Sequence, residues 1–207
     1  MSARIPDAAD LRGRFVGRLV VVEPLAVEHE AGLFDAAQEG ELFRWMPLSI
    51  ADSPAQLHDW VQRSLEASRT RGEVPFTVLD AATGLPIGST RFLEIRLEHL
   101  RVEIGWTWMA RRVWGNGHNV EAKLLLLSHA FEHVRCRRVE FKTDARNERS
   151  RGALLALGAT FEGTFRKHMV VRDGSSRDSA YYAIIDDDWP RVKALLQTRL
   201  AAIARDP

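Results

Sequence analysis

Trp114-Gly115-Asn116-Gly117-His118-Asn119 sets the architecture through what it joins. Before it runs Val102-Glu103-Ile104-Gly105-Trp106-Thr107-Trp108-Met109, in which Val102, Ile104, Trp106 and Trp108 alternate with Glu103, Gly105 and Thr107, the period of a strand. After it, Val120, Leu124, Leu127, Phe131 and Val134 recur at spacings of three and four, which stacks them on one side of a helix. The segment reads as strand, glycine turn, helix. The first NH groups of such a helix have no partner inside it, and the helix dipole adds partial positive charge, so an anion is the natural guest. Gly115 and Gly117 let the backbone take positive φ and approach a phosphate closely. No Lys-Ser or Lys-Thr follows Gly117 as in a Walker loop, and Val120 stands where a dinucleotide fingerprint wants its third glycine.

The 207 residues suffice for one substantial core, read here as a single domain over 1–207 with an irregular segment at 1–14. A net charge of +1 supplies no field for nucleic acid or an anionic membrane, and any charge chemistry must be local. Cys136 is the one cysteine, so no disulfide forms within the chain; with no apolar signal core at the N-terminus, a soluble, cytoplasmic protein is expected.

Leu19 to Leu25 reads as a first strand and Val27 to Gln38 as a helix. Ser53-Pro54-Ala55-Gln56 is a helix start, with a capping serine, a proline in the first turn and a glutamine three residues on. Pro75–Asp80 and Leu85–Phe92 form a hairpin, and the strand carrying Glu103 continues the meander. Arg138–Asp144 alternates again and must lie parallel to that strand, since a helix crosses between them. Asn147 to Leu157 is a helix closed by Gly158. Asp173-Gly174 turns a last hairpin, and a final helix begins near Trp189-Pro190. The result is α/β, a mixed α+β sheet of about seven strands, mostly antiparallel with one parallel βαβ crossover, and helices on both faces.

That order, with Gly-Asn-Gly-His-Asn-Val-Glu-Ala-Lys (115–123), Leu-Leu-Leu-Ser-His-Ala-Phe-Glu (125–132), Thr-Asp-Ala-Arg-Asn-Glu-Arg-Ser (143–150) and Leu-Gly-Ala (157–159), resembles the GNAT acyltransferases and their ribosomal-protein-alanine (RimJ/RimL-type) branch. The family's loop pattern is Gln or Arg, two residues, Gly, one residue, Gly or Ala. Read literally, Arg112, Gly115 and Gly117 satisfy it, but the Glu-Ala pair that opens the family's helix then sits two residues too late. Anchored on Glu121-Ala122, the preferred register, it puts Trp114, Gly117 and Asn119 at those three places and departs from the pattern at both ends. Asn119 is expected to cap the helix. The resemblance implies a GNAT fold and acetyl-CoA as cosubstrate with no metal. It implies that the NH groups of Trp114, Gly115, Asn116, Gly117, His118 and Asn119 hold the coenzyme's pyrophosphate, that Thr107, Trp108 and Met109 lie along its pantetheine arm, and that Asn147 hydrogen-bonds it. It implies direct transfer to a primary amine, a protein N-terminal amino group, by a monomer or homodimer.

Transfer needs a neutral amine, a stabilised oxyanion and a proton for the leaving thiolate. Strand alternation puts Glu103 on a polar face beside Gly105, which leaves room for a ligand, so Glu103 is the expected base, beside the plain reading of a solvated carboxylate. The resemblance implies that Ser150 lies near the sulfur as proton donor, while from the residues alone it reads as part of the helix's polar first turn. Tyr181 and Tyr182 compete with it, and as strand neighbours at most one of them reaches the site. Asn147 reads equally as a helix cap. The rivals are a small-molecule amine acyltransferase and a non-catalytic coenzyme A sensor. Acceptor choice falls to the loops around 40–55 and 93–101, where Glu41, Asp52, Glu94 and Glu98 are scattered. His129-Ala130-Phe131-Glu132-His133 has the form of an inverted zinc-peptidase motif, but the histidines face away from the apolar stripe and no third ligand suggests itself.

Overall fold

The computed structural model describes residues 6–39, 42–47 and 49–204. Glu41 therefore lies outside the described residues, as does the start of the irregular N-terminal segment. Eight strands form one sheet in the order β1-β2-β3-β4-β5-β6-β8-β7. They are β1 (Phe15–Val16), β2 (Val20–Pro24), β3 (Val74–Asp80), β4 (Pro86–Arg96), β5 (Arg101–Met109), β6 (Arg138–Asp144), β7 (Thr160–Val170) and β8 (Ser176–Ile185). Only β5 and β6 are parallel. The strand beyond the expected seven is β1, whose two residues are too short to show a periodicity.

Two apolar cores flank the sheet. On one face, α1 (Glu30–Ala37) and α2 (Pro54–Thr70) bury Leu33, Leu57, Trp60 and Val61 with Trp108. On the other, α3 (His118–Ser128) and α5 (Trp189–Ile203) bury Leu126, Leu127, Val192 and Leu196 against Val102, Ile104, Val139 and Tyr182. The remaining helix, α4 (Glu148–Leu157), ends at Gly158 in the left-handed conformation, φ 95°. Ser53 caps α2 by accepting from the Gln56 NH at 3.1 Å. Gln56 in turn reaches past the cap and accepts from the Asp52 NH at 2.6 Å.

The simple alternation expected along β5 breaks at Trp106. Between the pairs Arg91↔Gly105 and Ser89↔Trp108, β4 has one residue and β5 has two, a bulge that places Trp106 at φ 51°. The bulge reverses every side chain beyond it. Trp108 therefore joins the α1–α2 core, opposite Val102 and Ile104, and Thr107 turns toward α3. The stripe on α3 also differs from expectation. Ala122, Leu126 and Leu127 are its buried apolar residues, while Val120 and Leu124 are half-buried, and the polar Glu121 and Lys123 are buried with them. Past Ser128 the helix widens into a π turn over His129–His133, which rotates the helix exit at Val134 relative to the α3 stripe.

Candidate active site

Parallel pairing of β5 with β6 covers Arg101↔Arg138, Val102↔Val139 and Glu103↔Glu140 and then stops. Beyond Glu103 the two strands part, with the bulge at Trp106 on one arm. The opening leads toward the start of α3 and the start of α4.

At the first of these helix starts Gly115 and Gly117 both take the left-handed conformation, φ 80° and 85°. Gly117 is the N-cap, so Asn119 lies inside the first turn and does not cap the helix, contrary to expectation. Glu121 NH donates to the Gly117 carbonyl at 2.9 Å, which leaves the NH groups of His118, Asn119 and Val120 without an acceptor inside the helix. The two glycines serve different ends. A Cβ on Gly115 meets nothing within 4 Å, whereas one on Gly117 comes within 3.0 Å of Leu19 and 3.1 Å of Ile203. Position 117 is therefore closed by packing as well as by φ. Asn116 donates to the Arg112 carbonyl, and His118 faces Asp80 at 3.3 Å, so those two side chains brace the loop. Trp114 donates its indole NH to the Met109 carbonyl at 2.8 Å, and the Arg149 guanidinium of α4 stacks over its ring at 3.5 Å. This contact ties the two helix starts together across the mouth of the opening. Asn147 caps α4, accepting from the Ser150 NH at 3.0 Å.

These features fit an elongated anionic ligand such as coenzyme A: free helix-start NH groups, open space at Gly115, and strand edges left unpaired beyond Glu103. Of the three residues expected along the arm, Met109 has its carbonyl occupied by Trp114, Thr107 bonds Thr90 and Lys123 with its hydroxyl, and Trp108 points into the α1–α2 core with its indole NH unpartnered. For Thr107 and Trp108 the backbone alone is left to face the opening.

At the point of divergence lies a cleft of about 590 Å³, on the face opposite α3. Glu103, 2 % exposed, forms its floor and pairs with Lys142 Nζ at 3.1 Å. Burial raises the Glu103 pKa; the Lys142 charge opposes this, and Glu94 and Glu140 reinforce it. Tyr181 lines the same cleft, its hydroxyl 3.2 Å from His168 Nε2, and burial raises its pKa, which keeps it protonated. Tyr182, its strand neighbour, is fully buried on the other face and accepts from Arg151 at 3.1 Å. Ser150 is not among the cleft's lining residues. Of the acidic residues in the acceptor loops, Glu94 lines this cleft and Asp52 lines a second cavity, of about 590 Å³, under the α1–α2 connection.

Glu121 and Lys123 are buried charges that escaped the sequence reading. The Glu121 carboxylate accepts from the NH groups of Arg18 at 3.0 Å, Leu19 at 2.6 Å and Val20 at 2.9 Å, pinning the β1–β2 turn to α3. Lys123 donates to Thr107 Oγ1 at 2.6 Å. Both sit beside apolar helix positions, and no sequence signal separates them from surface charges. The zinc-peptidase motif also resolves: His129 Nε2 meets the Asp10 carbonyl at 2.8 Å, and Glu132 binds Trp189 and Lys193. Among the described residues no three His, Cys, Asp or Glu side chains group as a metal site, and no helix is long and apolar enough to cross a membrane.

Comparison with known proteins agrees with this geometry. Residues 18–160 match the acetyltransferase (GNAT) domain family. A GCN5-related N-acetyltransferase from Brucella melitensis superposes with a TM-score of 0.85 at 29% identity, over 94% of this chain and 86% of its own. A protein from T. thermophilus assigned to the acetyltransferases is 37% identical, TM-score 0.82, over 97% of this chain and 100% of its own. A ribosomal-protein-S5-alanine acetyltransferase from Vibrio fischeri, 20% identical over 86% of this chain and 98% of its own with a TM-score of 0.69, shares the fold. With a family match over more than two-thirds of its length, laid on a sheet that splays beside a glycine-started helix, this chain belongs to the GNAT acetyltransferases.

Proposed function

We propose that this chain acetylates the N-terminal amino group of a protein or peptide, with Glu103 as the base. The observation that carries this reading is a buried carboxylate of raised pKa on the floor of an open cleft, at the point where β5 and β6 part. Acetyl-CoA, which the family uses, supplies an acyl group on a good leaving thiolate. The NH groups of Gly115, Gly117, His118, Asn119 and Val120 hold its pyrophosphate, those of Trp114 and Asn116 being taken by the Arg111 and Val113 carbonyls, and the unpaired edge at Thr107 and Trp108 lies along its arm. Asn147, as an N-cap, shapes the second wall.

An amine entering over Glu103 arrives as an ammonium ion and gives a proton to the carboxylate. Burial makes Glu103 a stronger base than a solvated carboxylate, and Lys142 keeps it oriented. The amine nitrogen then bonds the acyl carbon, the carbon–sulfur bond breaks, and Tyr181 gives its proton to the departing sulfur. The second proton on the now cationic nitrogen passes to the tyrosinate, while the proton on Glu103 leaves to solvent with the product. Tyr181 is preferred to Ser150 because it shares the cleft with Glu103. His168 holds the tyrosine hydroxyl and offers a route for its reprotonation. A polypeptide N-terminus suits a cleft open enough for an extended chain, and the Vibrio fischeri protein of the same fold is named as an acetyltransferase of an alanine in ribosomal protein S5.

The test is Glu103→Gln in a mass-spectrometric acetylation assay against a library of peptide N-termini. Turnover should fall about 10²- to 10⁴-fold with acetyl-CoA affinity unchanged. Wild-type protein that binds the coenzyme yet acetylates neither peptides nor small amines would be a sensor, and the reading would be withdrawn.

A further inference from the structure

Arg177 is 5 % exposed, yet among the described residues its side chain makes no hydrogen bond and no ion pair, and its Nε is buried without an acceptor. Leaving a guanidinium buried and unpaired is costly, and arginines in interiors are paired as a rule. The natural partner is taken. Asp144, on the neighbouring strand, accepts from the Arg146 NH at 2.9 Å, Nε at 3.0 Å and Nη2 at 2.8 Å.

Its position explains what the free cation is for. Strand alternation puts Arg177, Ser179 and Tyr181 on one face of β8, and register sets Tyr181 opposite Lys142 and Ser179 opposite Asp144. That is the face of Glu103 and the cleft. Burial lowers the Arg177 pKa; Asp144, Glu103 and Tyr181 offset part of this, and Arg146 adds to it. Arg177 thus lies further along the same face, beyond the Asp144–Ser179 pair, where Arg146 stacks over Trp45 of the α1–α2 connection at 5.2 Å.

We propose that Arg177 recognises a carboxylate on the acceptor, and that the acceptor is a peptide with an acidic side chain close to its N-terminus. This rests on the acetyl-transfer reading above and specifies its substrate. A guanidinium fork matches a carboxylate with two parallel hydrogen bonds, which a lysine or a neutral side chain does not reproduce. Distance selects the source. Four residues along β8 separate Arg177 from Tyr181, about 13 Å at the strand rise, and strand side chains stand across the strand, so most of that separation remains. The carboxylate must therefore lie several bonds from the reacting amine, which fits the side chain of a second or third residue and not the α-carboxylate of a free amino acid.

The experiment compares tripeptide amides that differ only at the second residue, glutamate, glutamine or lysine, with free glutamate as a separate arm. Wild-type protein should favour the glutamate peptide over the glutamine peptide by about 10- to 100-fold in kcat/KM, expressed mainly in KM. Arg177→Gln should abolish that preference while leaving the glutamine peptide's rate unchanged, and Arg177→Lys should restore part of it. Equal rates for the two peptides in the wild type overturn the inference. So does an Arg177→Gln variant that loses rate on every peptide and melts early, as a purely structural residue would. Preference confined to free glutamate overturns the distance argument. Calorimetric binding of the same peptides to the coenzyme A complex reads recognition without turnover. If no peptide is acetylated yet the glutamate peptide binds more tightly to wild type alone, this inference stands and the acetyl-transfer reading falls.

Discussion

Replacing Lys123 by methionine should stabilise this protein at neutral pH and do so less in alkali. The lysine is buried against the bulge of β5 without a carboxylate partner, and burial pushes its pKa down from the ordinary 10.5 to about 7. Between those values the folded state binds fewer protons than the unfolded one, so stability is lost as pH falls from 10.5 toward 7, and levels off below. The charge term amounts to about 4 kcal/mol against the fold at pH 7 and about 1.5 kcal/mol at pH 9.5. Methionine fills a similar volume, and Thr90 and Thr107 keep their mutual bond of 2.8 Å, so neither hydroxyl is orphaned. Losing the amine's hydrogen bond costs about 1 kcal/mol at either pH. Urea unfolding of both proteins should show Lys123→Met ahead by about 3 kcal/mol at pH 7 and by close to nothing at pH 9.5. Comparing two proteins that differ in one residue cancels every other titration. A difference that does not change with pH refutes the argument, because Lys123 would then hold the same proton in both states.

Glu121→Gln turns one of three accepting contacts into a clash of donors at the Arg18–Val20 backbone. It should cost about 2 kcal/mol, read as a fall of about 4–8 °C in Tm; a melt unchanged within a degree would show that the carboxylate pins nothing. Tyr181→Phe should lower kcat about tenfold or more with little change in KM, while Ser150→Ala stays within about threefold. The reverse ranking in a steady-state assay returns the proton-donor role to Ser150.

The crossover β5–α3–β6 was legible because its signals are local and agree: alternation, a double-glycine turn, a helical stripe, alternation again. Ser53, Asn147 and Gly158 were legible for the same reason, since a cap is decided within four residues. The bulge at Trp106 was not. Nothing in Gly105-Trp106-Thr107 announces the extra residue, whose place is set by pairing with β4, fourteen or more residues earlier in the chain. It reversed the expected facing of Thr107 and Trp108 while leaving Glu103, upstream of it, where alternation put it. Glu121 and Lys123 looked like the polar side of an amphipathic helix because their partners, the Arg18–Val20 backbone and Thr107, belong to distant strands. Arg177 had the same difficulty in reverse: it looks like an exposed strand charge, and only the capture of Asp144 by Arg146 leaves it unpaired. Choosing between Tyr181 and Tyr182 needed the β6–β8 register, which turns Tyr181 to the cleft.

The most direct test of Glu103 as the base is the pH dependence of kcat/KM for wild type and Glu103→Gln on one peptide acceptor. Activity of the wild type should fall on the acid side with a midpoint above the ordinary carboxylate value of 4.5, because the carboxyl whose pKa burial raises must be ionised to take the proton. In Glu103→Gln that acid limb should vanish from the small rate that remains. An acid limb at the same pH in both proteins would contradict the account and place the base elsewhere.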